Sequence, residues 1–167
     1  MKLLFTLCAL IPDNMHALDH KVPPPAVMLV FAAFMWMLSA SESSMALAVP
    51  WRQALAITVW CLGLTISLAG LLEFWRAKTT VNPLNPQAAS TMVTSGIYQY
   101  SRNPMYVGLL FALVGWAVWL SHLIAFGLLP FFVLYINRFQ IEPEERALSV
   151  KFGEQFRQYR STVRRWL

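Results

Sequence analysis

VTSGIYQYSRNPMYVG, residues 93–108, sets glycine, tyrosine, arginine, asparagine and proline directly against an apolar run that continues to Ile136. A second polar cluster, Glu142-Pro143-Glu144-Glu145-Arg146, closes the far end of that run. Ionisable groups at the edge of lipid cost several kcal/mol each unless paired or solvated, so clusters of this kind need a use. The run between them holds about 32 residues, roughly 48 Å as one helix against a hydrocarbon core near 30 Å. Ser121-His122 divides it, and the reading is a tight helical hairpin of short, tilted or kinked members, with Pro130 the expected kink site. A hairpin returns the chain to the side it left. Both polar clusters then share one membrane face and form a polar ligand site there.

The rest of the composition agrees with a membrane protein. Hydrophobic residues make up 57% and charged residues 13% of the 167-residue chain, and mean hydropathy is +0.52. Apolar residues fall in runs, which excludes an ordinary soluble domain. Cys8 and Cys61 offer no disulfide framework. The first eleven residues carry a lysine and a short apolar run but no small-residue cleavage site. Residues 1–22 are read as an N-terminal extension, dispensable up to residue 14, and 23–167 as one domain.

Outward from the hairpin, residues 24–40 and 53–75 are two further spanning candidates, the first opening on prolines that suit a first helical turn. Residues 73–76, EFWR, read as an aromatic and charged interfacial belt. Residues 76–103 are polar and turn-rich. Asn103 is placed as an N-cap and Pro104 as the first helical residue of the hairpin. Lys and Arg concentrate in 76–103 and 138–165, so the positive-inside rule puts both termini and that loop in the cytoplasm of a bacterial inner membrane. The tail repeats Leu148, Phe152, Phe156, Tyr159, Val163 and Leu167 at spacings of three or four, an amphipathic helix expected on an anionic membrane face and bent at Gly153. The fold class is all-α: four transmembrane helices, the last two a tight hairpin, followed by a cytoplasmic amphipathic helix.

Ser95-Gly96-Ile97-Tyr98, then Arg102-Asn103-Pro104-Met105-Tyr106 with Gly108, then Glu144-Glu145 and Phe152-Gly153 resemble the isoprenylcysteine carboxyl methyltransferase family, most closely its short bacterial integral-membrane members. The resemblance covers about residues 79–167 and extends to the related phospholipid methyltransferases. It implies S-adenosylmethionine as cofactor and S-adenosylhomocysteine as product. Carried over by position, cofactor contacts fall on Ser90, Thr91, Met92, Val93, Tyr98, Asn103, Pro104, Met105, Tyr106 and Glu144, with Arg102 added for its charge. Glu144 is matched to the ammonium, the free amides after Asn103 to the carboxylate, and the tyrosine rings to adenine or sulfonium. Two departures bear on the acceptor. Asn103 replaces the family's usual histidine, and Gln140 replaces a substrate-touching arginine, for which Arg138 is the expected substitute.

Under this reading Arg138 orients an anionic acceptor, and Glu145 is the proton sink an amine acceptor requires. The expected activity is methyl transfer to a lipophilic acid or thiol, with phospholipid or amine N-methylation as the rival. Outside that class stand an NADPH-dependent sterol-type reductase and a non-catalytic membrane scaffold. Simpler readings stand beside each residue: Tyr98, Tyr100 and Tyr106 as belt residues, Glu145 as a helix-start carboxylate, Arg138 as an interface anchor. His16 and His20 are incidental and no metal is assigned. The expected partners are membrane lipids and a lipophilic or lipidated acceptor, not nucleic acid, since the tail's period fits a surface helix. Oligomeric state stays open.

Overall fold

The computed structural model describes residues 22–39, 49–77 and 91–167. His16, His20, Ser90 and nearly all of the expected 1–22 extension lie outside the described residues. Among those described, helices account for the fold and no β-strand forms. The order is α1 (Pro24–Leu38), α2 (Val49–Arg76), a 3-10 turn (Gly96–Gln99), α3 (Pro104–Leu120), α4 (Leu123–Ile136), a π turn (Asn137–Ile141) and α5 (Glu142–Thr162).

The hairpin forms where the sequence places it. Ser121 adopts a left-handed conformation (φ 52°) that ends α3, and its amide reaches back to the carbonyls of Ala117 and Val118. His122 then caps α4, its Nδ1 accepting from the Ile124 amide at 3.3 Å. Helix α4 runs unbroken through Pro130; the departure from α geometry comes later, at the π turn. A π turn shifts the phase of the side chains beyond it relative to those of α4.

The core lies among α1, α3 and α4. Met35, Leu113, Phe132 and Ile136 are fully buried there. Phe31 meets Phe132 edge-on with ring centroids 5.5 Å apart, and the Trp116 indole donates to the Ala32 carbonyl at 3.0 Å. Helix α2 packs on α3 through small residues, Gly63 and Ser67 opposite Gly108, which bring the two backbones close. Much of the rest of its surface is bare: Trp51, Leu55, Leu62, Leu64 and Trp75 are all exposed. So large an apolar surface on one helix belongs in lipid. Two stretches, Pro50–Arg76 and Leu123–Thr162, are long and apolar enough to cross a bilayer, while Pro24–Leu38 and Pro104–Leu120 are shorter apolar helices. The protein is a helical membrane protein.

Candidate functional site

The loop before α3 is tied to the end of α2 by Glu73. Its carboxylate accepts from the Ser95 hydroxyl at 2.5 Å and pairs with Arg76 at 2.8 Å. Gly96 sits at φ 57° over this carboxylate, and a Cβ there would meet Glu73 Cδ at 2.5 Å, so only glycine lets the loop approach so closely. The 73–76 segment is thus more than an interfacial belt. Glu73 is buried and Phe74 turns inward to meet Tyr98 edge-on at 5.5 Å, while Trp75 and Arg76 keep an open, belt-like exposure.

Behind this loop lies a cavity of about 350 Å³. Thr91, Met92, Val93, Tyr98, Arg102, Asn103, Met105, Tyr106, Glu144 and Glu145 all line it. The two clusters read from the sequence therefore meet, and Tyr106 and Glu144 join them directly, the phenol donating to the carboxylate at 3.1 Å. Burial pushes the Glu144 carboxyl up to about 7; the Tyr106 hydrogen bond opposes this and neighbouring Glu145 adds to it. The phenol of Tyr98 is also raised well above its usual range, by burial first and then by the charge of Glu144. Of the three tyrosines, Tyr98 and Tyr106 are buried in the cavity wall and Tyr100 is exposed. The belt role fits Tyr100 only.

Asn103 precedes α3 as expected but does not cap it; its side chain donates instead to the Arg165 carbonyl at 2.9 Å. The amides of Met105 and Tyr106 belong to the first turn, where a helix offers no internal acceptor, and they begin a 17-residue helix. Arg102 adds a guanidinium whose Nη2 contacts Glu145 at 3.0 Å while Nε and Nη1 are buried without a protein partner. Burial presses its pKa down and Glu145 pushes it back up. Buried polar groups are nearly always satisfied. A guanidinium charge close to helix-start amides that lack an intrahelical acceptor is chemistry suited to an anion.

Four expected site residues do not match the geometry. Arg138 and Gln140 do not line the cavity. Arg138 is buried against Phe139 and faces Glu142 at 3.9 Å. Gln140 is fully buried and donates to the Val22 carbonyl at 2.8 Å. Both lie in the π turn, whose altered pitch takes them off the register that a straight helix gives. Glu145 lines the cavity but is no free base: Arg165 Nη2 at 2.7 Å and Arg102 at 3.0 Å hold its two oxygens. Pro104 is buried against Gly70 rather than exposed to the cavity.

Other wall residues carry no polar signal in the sequence. Ser67, Leu68, Leu71 and Phe74 come from α2 and Pro24 and Pro25 from α1, so the site reaches beyond residues 79–167. Leu148, Phe156 and Tyr159 form the α5 side. Part of the apolar stripe expected on the membrane face is spent on this wall instead. Tyr159 fixes it by donating to the Tyr98 carbonyl at 2.6 Å. The expected bend at Gly153 is present as a break in α5 (φ 49°, ψ −116°).

Residues 51–155 match the family model described as phospholipid methyltransferase, and the chain belongs to that family. It is a family of methyltransferases, related to the group that the motifs resemble. An uncharacterized protein of Haemophilus influenzae is 46% identical over 63 residues, which is 38% of this chain and the whole of that protein. No solved structure matches the chain.

Proposed function

We propose that this member of the phospholipid methyltransferase family binds S-adenosylmethionine in the 350 Å³ cavity and uses it to methylate a membrane lipid. The observation that carries this is the cavity's composition. One part presents Glu144, Arg102, Tyr98 and the α3 amides; another presents Leu68, Leu71, Phe74 and Leu109. In this reading Glu144 holds the ammonium, and Arg102 with the Met105 and Tyr106 amides holds the carboxylate. The rings of Tyr98 and Tyr106 contact adenine or sulfonium. The bound cofactor supplies an electrophilic methyl group. The wall's contribution is alignment and exclusion of water, with Phe156 and Leu148 closing the α5 side.

The acceptor class follows from the family and from the apolar wall: a phospholipid-like amphiphile entering from the bilayer. A lipophilic acid or thiol is the second reading, favoured by the clamping of Glu145, since such acceptors need no protein base. Among the described lining residues the other carboxylate is Glu144, already assigned to the cofactor. Membranes containing the chain, given S-adenosylmethionine with a labelled methyl group, should transfer label to phosphorus-containing lipid. Label appearing only in hydrophobic acids or thiols selects the second reading, and no transfer to either rejects both. Arg102 is the one basic side chain among the described lining residues, which fits poorly with the several phosphates of a nicotinamide dinucleotide.

A pH dependence follows from Glu144. Its carboxyl must be charged to pair with an ammonium, and in the empty site it is protonated below about 7. Affinity for S-adenosylhomocysteine should fall as pH drops below 7, approaching about tenfold per unit. For the ligand-free fold the sign is opposite. A raised carboxyl stabilises when protonated, fully below its ordinary value of 4.5, and that contribution is lost as pH rises through about 7. Titrations between pH 5.5 and 8 check both, and a flat binding profile contradicts the Glu144 assignment.

Orientation is part of the same proposal: both clusters and the tail face the cytoplasm, and the Ser121-His122 turn faces away. With Cys8 and Cys61 replaced, a cysteine at exposed Leu123 should react with an impermeant thiol reagent added outside the cell. A cysteine at exposed Ser161 should react only after permeabilisation. Labelling of both from one side contradicts the hairpin topology.

A further inference from the structure

Tyr98, Tyr106 and Tyr159 line the cavity, and two of their hydroxyls are spent inside the protein. Tyr106 donates to Glu144 at 3.1 Å and Tyr159 to the Tyr98 carbonyl at 2.6 Å. The Tyr98 hydroxyl has no hydrogen-bond partner among the described residues. Nor is it sealed off, as Nε and Nη1 of Arg102 are; the residue is buried, but this oxygen opens on the cavity. Buried hydroxyls are nearly always hydrogen-bonded, so one that opens on a cavity is set to bond with what the cavity holds.

The hydroxyl is held in place from several sides. The Tyr98 amide donates to the Ser95 carbonyl at 3.1 Å, and Phe74 meets the ring edge-on at 5.5 Å. Gly70 of α2 lies against it, where an added Cβ would stand 3.5 Å from the hydroxyl oxygen. Ser67, Leu71 and Phe74 flank Gly70 in sequence and line the cavity. Leu68 lines it too and is 48% exposed, so this wall reaches the surface that α2 turns to lipid. The hydroxyl thus stands where the polar part of the cavity meets its apolar part. Burial and the charge of Glu144 keep the phenol protonated, so it serves as a donor and not as a base. The carboxylates around it are engaged: Glu73 by Arg76, Glu145 by Arg102 and Arg165, and Glu144, in the reading above, by the cofactor's ammonium.

We propose that the Tyr98 hydroxyl binds the methyl acceptor, donating a hydrogen bond to an anionic oxygen of its headgroup. That oxygen belongs to the phosphate of a phospholipid or to the carboxylate of a lipophilic acid. The ring keeps its contact with the cofactor, so one side chain sets the acceptor's headgroup beside the reacting methyl group. This rests on the cavity being the S-adenosylmethionine site.

The test compares wild type with Tyr98→Phe, which removes the hydroxyl alone, as full chains in phosphatidylcholine nanodiscs. Three acceptors are diluted into the discs: phosphatidylethanolamine, palmitic acid and hexadecanethiol, the last without an anionic headgroup oxygen. At saturating cofactor, Tyr98→Phe should lower kcat/KM about tenfold or more for whichever oxygen-bearing acceptor wild type methylates, the scale of one hydrogen bond to a charged group. That acceptor identifies the source of the oxygen. Any transfer to hexadecanethiol should be unchanged, and so should affinity for S-adenosylhomocysteine. The variant should unfold at the wild-type temperature or slightly above, since no protein hydrogen bond is lost. Weaker binding of S-adenosylhomocysteine, with or without lower stability, would give the hydroxyl a cofactor or structural role and overturn the proposal. Wild-type kinetics in the variant, an equal loss for the thiol, or a wild type that methylates the thiol alone overturns it too, while the cavity reading survives. If wild type neither binds S-adenosylhomocysteine nor transfers a methyl group, the cavity reading and this proposal fall together.

Discussion

Glu144→Gln is expected to lower methyl transfer at subsaturating cofactor by one to two orders of magnitude while leaving the fold intact. The carboxylate lines the cavity, accepts from Tyr106 at 3.1 Å and is assigned to the cofactor's ammonium. Replacing it by an amide removes a charge-assisted contact worth about 1.5–3 kcal/mol. The amide keeps an oxygen for the Tyr106 phenol, so the bond between α3 and α5 survives. Because a raised carboxyl weighs against the empty fold at neutral pH, the ligand-free variant should unfold at a temperature equal to or above wild type. Lower activity together with unchanged or higher stability separates a binding role from a structural one. Wild-type activity in this variant removes Glu144 from the site.

Gly108→Ala is expected to give the largest loss of stability for a single added methyl group. A Cβ at Gly108 would overlap the Ser67 hydroxyl and lie 2.5 Å from the Gly63 carbonyl oxygen, a backbone atom that cannot swing aside. Overpacking of this kind costs about 1–3 kcal/mol, and the helical preference of alanine over glycine returns at most about 1 kcal/mol. Gly127 provides the contrast, since a Cβ there meets nothing within 4 Å. Gly127→Ala should be neutral or slightly stabilising in the same thermal unfolding series. Because Tyr106 and Met105 sit on the α3 turn that Gly108 presses against α2, the Gly108 variant should also bind ligand more weakly. Equal melting temperatures for the two variants contradict the close packing of α2 on α3.

The legible parts of this fold were those set by local chemistry. Ser121-His122 interrupts an apolar run too long to be one span, and the structure breaks the helix there through a left-handed serine and a histidine cap. The polar clusters around Arg102 and Glu144 meet because a hairpin must bring its two ends together. What stayed hidden depends on tertiary register. Arg138 and Gln140 are four and two residues from the charged cluster in sequence, yet both lie in a π turn and neither lines the cavity. No periodicity argument sees such a turn, because it shifts phase without changing composition. Glu145 looked like a free base until Arg165, twenty residues later, was found on it. The stripe of Leu148, Phe156 and Tyr159 was visible, but a stripe does not state whether it covers lipid or a cavity. Leu68 and Leu71 are indistinguishable by type from the lipid-facing leucines of the same helix.

The most direct measurement is a calorimetric titration of the chain in nanodiscs at pH 7.5 with S-adenosylhomocysteine, and separately with NADPH. The account predicts saturable one-site binding of S-adenosylhomocysteine that weakens by about ten- to a hundredfold in Glu144→Gln, and no saturable heat with NADPH. Saturable NADPH binding without a response to S-adenosylhomocysteine, or binding of S-adenosylhomocysteine indifferent to Glu144, would contradict it.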